Sequence, residues 1–333
     1  MAKVAVLGAG SWGTTYAKIL ADGGSDVVLW ARRSDLAEEI NQEHRNGDYL
    51  PGIELPESLR ATSDIHEALA GAEQVYIAVP SQSLRSNLLE WVDHLPGDAI
   101  LVSLMKGVEK DTGLRMSEVI AEVTKFPVEQ IAVVSGPNLS LEIAAEQPTA
   151  SVAACASLEN AELVAKASSC SYFTTFTNRD VVGTEFGGIL KNLIAVAIGI
   201  VNGVGYGQNT KASIMTRGLA EISRFAQAYG AKRETMNGLA GLGDLIATAE
   251  SPLSRNHKAG EMLGKGYRLN EVTKRLSQTA EGLASIAPVL TLAEAKGIKM
   301  PIVEQVYLVM QGKMHPREIA PHLTHDTDEP QVE

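Results

Sequence analysis

Cysteine is nearly absent from this chain: its 333 residues include only Cys155 and Cys170. Such a pair makes neither a disulfide framework nor a C-x-x-C site, and it suits a reducing compartment. Basic charge is short as well, with 29 Lys and Arg against 40 Asp and Glu, a formal charge of −11. A nucleic-acid binder normally carries a basic field, so no nucleic-acid partner is expected; a local basic pocket for a small anion stays open. Of the seven histidines only His322 and His325 stand at helical spacing, so no metal is expected. Long apolar runs are missing too. The best, residues 189–207, is broken by Lys191, Asn192 and Asn202 besides four glycines. It falls short of the ~20 uninterrupted apolar residues a bilayer span needs, so it reads as a buried helix without stable membrane insertion. The amino terminus, MAKVAVLGAG, runs straight into a glycine turn with no apolar signal region. A cytoplasmic protein is the expectation. No repeat period and no low-complexity block is found.

What remains is an ordinary globular composition, 45% hydrophobic and 21% charged. At ~100–200 residues per domain, the length gives one large domain or two ordinary ones. The first half alternates Val-, Ile- and Leu-rich runs with helical stretches. Strands are predicted at Val4–Leu7, Val27–Trp30, Val75–Val79, Ile100–Leu104 and Ile131–Val134, and helices at Leu84–Leu95 and Met116–Val123. Nearly continuous apolar strands suit parallel pairing with both faces covered, and the βαβα order predicts a doubly wound, Rossmann-type sheet. After a last strand at Tyr172–Thr177, residues 183–230 and 258–312 read as all-helical. The expected organisation is a dinucleotide-binding domain over 1–180 and a helical substrate domain over 181–333. The polar, acidic tail from His322 to Glu333 is expected to fray.

Residues 8–13 read Gly8, Ala9, Gly10, Ser11, Trp12, Gly13, a G-x-G-x-x-G between a strand and a helix-compatible run. In that context Gly8 allows the tight turn, Gly10 lets the backbone approach a pyrophosphate, and Gly13 lets helix and strand pack closely. The helix N-terminus offers unpaired N–H groups to the phosphates. The second strand ends in Trp30-Ala31-Arg32-Arg33, where a carboxylate would read a free ribose hydroxyl and arginine a 2′-phosphate. Two guanidiniums favour NADP over NAD. The alternative is a solvated pair, with Asp35 serving NAD.

Four further clusters each have two readings. Lys191 and Asn192 interrupt an apolar helix; the lysine either has a buried partner or snorkels to solvent. Gly241-Leu242-Gly243-Asp244 places a carboxylate in a glycine-flanked turn, either a cap or a functional group. Ser251-Pro252-Leu253-Ser254-Arg255-Asn256 looks like an N-cap, a proline at N1 and then polar donors: an anion site, or a plain capped helix. Lys106-Gly107 follows a strand at the sheet edge where such folds bind ligands, or is a surface turn.

Together these blocks resemble one family, the NAD(P)-dependent glycerol-3-phosphate dehydrogenases of the bacterial soluble type. The likeness runs from residue 4 to about residue 312. It includes GAGSWGT at 8–14, AVPSQSLR at 78–85, KG at 106–107, GP at 136–137, KN and later G-x-N at 191–209, NGLAGLGDLI at 237–246, PLSRN at 252–256 and AEGL at 280–283. The resemblance implies cofactor contacts at Ser11, Trp12, Arg32, Arg33, Ser140, Arg255, Thr279 and Glu281, and contacts shared with substrate at Lys106 and Gly136. It implies Lys191 as the catalytic lysine, and substrate binding by Asn192, Asp244, Ser254, Arg255 and Asn256. The chain departs from the family pattern at Asn138 (usually Ser or Thr), Ser140 (usually Ala) and Asn202 (commonly acidic).

The implied reaction interconverts dihydroxyacetone phosphate and sn-glycerol 3-phosphate for phospholipid synthesis, with a homodimer expected. The residue types suit it. Lys191 can act as general acid or base, with Lys106 close by to lower its pKa and Asp244 to orient it. Arg255, Asn256 and helix N–H groups can clamp the phosphate. Two other readings stay open: a dehydrogenase of a β-hydroxy acid or ketopantoate, and a non-catalytic NAD(P) sensor.

Overall fold

The computed structural model describes residues 2–276 and 280–319. The predicted fraying of His322–Glu333 therefore lies outside the described residues, as does Thr279. The chain divides into two compact units, Met1–Glu185 and Phe186 onward. The division falls inside one long helix, Val181–Val204, where the sequence reading had placed it at the helix start.

The first unit is built on an eight-stranded sheet: β1 Lys3–Leu7, β2 Asp26–Trp30, β3 Arg60–Thr62, β4 Gln74–Ile77, β5 Ile100–Ser103, β6 Ile131–Ser135, β7 Thr149–Cys155 and β8 Phe173–Asn178. Their order is β3-β2-β1-β4-β5-β6-β7-β8. Strand β1 pairs in parallel with β2 (Val4 beside Val27) and with β4 (Val4 beside Gln74). The chain thus winds one way from β1 through β3 and the other way from β4, which opens a crevice beyond the carboxyl ends of β1 and β4. The sheet is not wholly parallel, because β6 and β7 run antiparallel. The short loop and helix between them return the chain along the same edge without a full crossover.

Both faces are covered, as the continuous apolar strands required. Val4 and Val6 of β1 pack into one core with Tyr16, Ile19 and Leu20, whereas Ala5 and Leu7 pack into the other with Leu84, Leu88 and Trp91. The start of the Val181–Val204 helix is anchored by buried Glu185, which accepts from Arg115 Nη1 at 2.6 Å and from Ser117 N at 2.9 Å. Burial raises the Glu185 pKa although Arg115 pulls it down.

The second unit is helical throughout its described residues. By length and composition its long helix could cross a membrane, but 83% of the apolar window is buried in the protein, so it serves as a core helix. It packs against the Arg255–Gly264 helix at unusually short range. A Cβ on Gly199 would lie 2.2 Å from His257 O, and one on Gly264 would lie 2.2 Å from Ile200 O. Gly199 and Gly203 face Gly260 and Gly264, so both helices use a four-residue glycine spacing to bring backbones into contact. That approach sets the neighbouring side chains within hydrogen-bond reach.

Candidate active site

In the first unit the Gly8–Gly13 turn leaves β1 and enters the Ser11–Asp22 helix. Gly8 sits at φ 119, and a Cβ there would meet Ala78 O at 2.7 Å. A Cβ on Gly13 would lie 1.8 Å from Gly8 O, so helix and strand close directly on each other. Gly10 differs. Nothing lies within 4 Å of where its Cβ would be. The helix it opens has no side-chain cap and no acidic residue in its first turn. Open space before an uncapped, electropositive helix end fits a dinucleotide pyrophosphate. Ser11 begins that helix, and Trp12 packs edge-on against Tyr16 at 5.2 Å with its indole nitrogen buried.

Past β2 the two arginines behave differently. Arg33 pairs with Asp48 at 2.7 Å and with Asp35 at 3.4 Å, which raises its pKa. Arg32 is exposed and has no ion pair among the described residues. The charge of Arg33 is thus shared with two carboxylates, and that of Arg32 is not. At the carboxyl ends of β5 and β6, Lys106 Nζ donates to Gly136 O at 3.0 Å, which places these two residues side by side. The Ser140 carbonyl accepts from Thr15 Oγ1 at 3.3 Å, tying that segment to the helix after the glycine turn. Nearby, Asn138 donates to Ser151 Oγ at 3.4 Å while its own Oδ1 is buried.

In the second unit Lys191 does not snorkel. It is 6% exposed and its ammonium lies 2.9 Å from Asp244 Oδ1, itself on a residue 1% exposed. Lys191 Nζ also donates to Thr248 Oγ1, which in turn donates to Asp244 Oδ1 at 3.2 Å. Thr248 escaped the sequence reading, although it follows Asp244 at a four-residue helical spacing that puts both on one face. The irregular turn Leu239–Gly243 delivers Asp244 to the start of the Asp244–Glu250 helix. Its Gly241 is needed: a Cβ there would lie 2.0 Å from Met236 O.

Beside this triad runs an amide chain. Asn256 Nδ2 donates to Asn192 Oδ1 at 2.9 Å, and Asn256 Oδ1 accepts from Gly282 N at 3.0 Å. Glu281 opens the Glu281–Ala295 helix next to that glycine. The PLSRN segment corrects one expectation. The N-cap is Ser254 rather than Ser251: Ser254 Oγ accepts from His257 N at 3.2 Å, and the helix starts at Arg255. Ser251 instead closes the preceding turn, accepting from Leu253 N at 3.1 Å, and this leaves Arg255 and Asn256 in the helix's first turn. Arg255 is exposed there and Asn256 buried. Asn202 accepts from Lys211 Nζ at 2.7 Å, away from the triad's own hydrogen bonds. Lys106 belongs to the first unit and Lys191 to the second.

Two family models account for most of the chain. One, described as NAD-dependent glycerol-3-phosphate dehydrogenase N-terminus, matches residues 3–161, and its C-terminal counterpart matches residues 180–321. The chain belongs to this family. A glycerol-3-phosphate dehydrogenase [NAD(P)+] of Leifsonia xyli subsp. xyli is 64% identical over 328 residues, covering 98% of this chain and 89% of that one. The crystal structure of glycerol-3-phosphate dehydrogenase from Coxiella burnetii matches with a TM-score of 0.90 at 34% identity, covering 97% of this chain and 99% of that one. A ketopantoate reductase from Ralstonia eutropha, at 19% identity and a TM-score of 0.57, shares the fold alone.

Proposed function

We propose that the protein is an NAD(P)-dependent sn-glycerol-3-phosphate dehydrogenase that interconverts dihydroxyacetone phosphate and sn-glycerol 3-phosphate. The observation that carries this reading is the buried Lys191–Asp244 pair bridged by Thr248. Burying two charges is costly, and a packed apolar pair would often be as stable, so a fixed ammonium in an apolar helix points to chemistry. Bound nicotinamide supplies the hydride that reduces the ketone carbon. Lys191 donates a proton to the alkoxide oxygen that develops there, and in the reverse direction takes the hydroxyl proton. Asp244 and Thr248 hold the lysine nitrogen in place. Arg255 and the first-turn amides of its helix bind the phosphate dianion, with the remaining Asn256 N–H as a further donor.

The preference for NADPH rests on Arg32, exposed at the end of β2. The family resemblance extends the proposal to Lys106 and Gly136 as shared contacts, to Ser140, Thr279 and Glu281 as cofactor contacts, and to a cytoplasmic homodimer supplying phospholipid synthesis. The test is oxidation of NADPH and of NADH by the purified protein on adding dihydroxyacetone phosphate, with ketopantoate in parallel. Turnover with the phosphate substrate alone is expected. Turnover with ketopantoate, or cofactor binding without turnover of either, would overturn the reading.

A further inference from the structure

We infer that Asn46 is a positioning residue for cofactor binding: it orients the Ala9–Gly10 peptide so that the Gly10 N–H faces the pyrophosphate. The inference rests on the dinucleotide reading of the glycine turn and deepens it.

Asn46 lies in the loop after the Ser34–Glu43 helix, far from the turn in sequence, and is 0% exposed. Its carboxamide spends both N–H groups on the turn. Nδ2 donates to Ala9 O at 3.0 Å and to Thr14 Oγ1 at 2.8 Å. The loop itself is fixed from its own side, because Leu50 N donates to Asn46 O at 2.8 Å and Gly47 N to Glu39 Oε1 at 2.9 Å. The second oxygen of the arrangement, Asn46 Oδ1, is buried with no partner. A buried amide that leaves its acceptor unpaired gives up a hydrogen bond. What it secures is therefore on the donor side: the Ala9 carbonyl.

Peptide geometry turns that anchor into a functional one. Ala9 C=O and Gly10 N–H belong to a single planar trans peptide, so they point in opposite directions. Holding the carbonyl against buried Asn46 aims the N–H outward. The Gly10 N–H makes no hydrogen bond among the described residues, and the space at Gly10 is open. Thr14, the other acceptor, donates its own backbone N–H to Gly10 O at 2.9 Å, so Asn46 holds a residue on each side of Gly10.

The test compares two ligands on two variants. Asn46→Asp replaces the donor with a carboxylate facing the Ala9 oxygen, and Asn46→Ser keeps a hydroxyl donor should the first fail to fold. Loss of one such hydrogen bond corresponds to roughly a three- to tenfold change in affinity. We expect NADPH dissociation constants to rise at least threefold in each folded variant, more for Asp than for Ser. Binding of adenosine 2′-monophosphate, which has no pyrophosphate, should stay within twofold, as should KM for dihydroxyacetone phosphate. Equal weakening of both nucleotides, or unchanged NADPH binding in a folded variant, would overturn the role of Asn46. Failure of the unmodified protein to bind NADPH would instead remove the dinucleotide reading itself, and this inference with it.

Discussion

The Lys191 ammonium sits 2.9 Å from Asp244 Oδ1, with both residues buried and the Thr248 hydroxyl bonded to each. The pair is a counter-ion arrangement inside an otherwise apolar helix packing. Its members should therefore be thermodynamically coupled. Asp244→Ala leaves a buried ammonium without its carboxylate, at a cost of about 3–5 kcal/mol, whereas Lys191→Met/Asp244→Ala removes both charges and should lose much less than the sum of the single changes. Urea denaturation of the single and double variants measures this. Additive losses would show that the two groups do not stabilise each other.

The glycines of the turn should separate into a ligand-facing and a packing position. Gly10→Ala meets no atom within 4 Å and keeps an ordinary extended backbone, φ −76. Its Tm should match the unmodified protein while KM for the cofactor rises. Gly13→Ala would put a Cβ 1.8 Å from Gly8 O, so it should lower Tm by several degrees, or abolish folding. A stable Gly13→Ala protein, or a Gly10→Ala protein with unchanged cofactor KM, would contradict this division.

Cofactor choice should depend on Arg32 more than on Arg33. Arg33 is held by Asp48 and Asp35, whereas Arg32 has no ion pair among the described residues. A charge-assisted hydrogen bond is worth roughly 1.5–3 kcal/mol, so Arg32→Ala should raise KM for NADPH about tenfold or more with little change for NADH. Arg33→Ala should do less. Equal effects on the two cofactors would mean that Arg32 does not read the 2′-phosphate.

Much of this was legible in the sequence because it follows local rules. The Gly8–Gly13 turn, the continuous apolar runs of β1, β4, β5 and β6, and the lone lysine of an apolar helix each signal themselves within a few residues. Strand β3 did not: Arg60–Thr62 is three residues long with an exposed arginine, too short for a periodicity. Strand β7, Thr149–Cys155, is rich in Ala, a residue with weak strand preference, and its antiparallel pairing depends on β6 beside it. Among site residues, Asn46 and the Asn192–Asn256 bond were hidden because they are tertiary contacts. A signal for the second existed, since the matching glycine spacings at 199 and 203 and at 260 and 264 permit two helices to touch. The PLSRN cap was misplaced by three residues because a serine before proline reads as a cap even where the chain turns once more before its helix.

A pH effect on stability should come from Glu221. Its carboxylate is 1% exposed and accepts from Ile302 N at 3.0 Å and Val303 N at 3.1 Å, capping the Pro301–Met310 helix. Burial pushes its pKa up to about 7, against the pull of those two N–H groups and of Arg224. The folded value lies above the ~4.3 of an unfolded chain, so the folded state binds the proton more tightly. Its stabilisation is complete below that unfolded value and is lost as pH rises through the folded one, at most about 1.4 kcal/mol per pH unit. In Glu221→Gln this fall in Tm between about pH 5 and pH 8 should flatten. An unchanged Tm profile in the variant would assign the dependence to other groups.

The measurement that bears most directly on the account is the turnover of Lys191→Met. The substitution keeps the length and apolar stem of the side chain while removing the ammonium. Because it leaves buried Asp244 without that counter-ion, the variant should lose stability as Asp244→Ala does, and its turnover is measured well below its Tm. The glycine turn and the Arg255 helix end are untouched, and NADPH binding should stay near that of the unmodified protein. What is lost is the proton donor to the developing alkoxide, an effect of ~10²–10⁴ in rate. The account predicts a folded, cofactor-binding protein whose kcat with dihydroxyacetone phosphate falls at least about a hundredfold. A folded Lys191→Met protein with the kcat of the unmodified protein would contradict it.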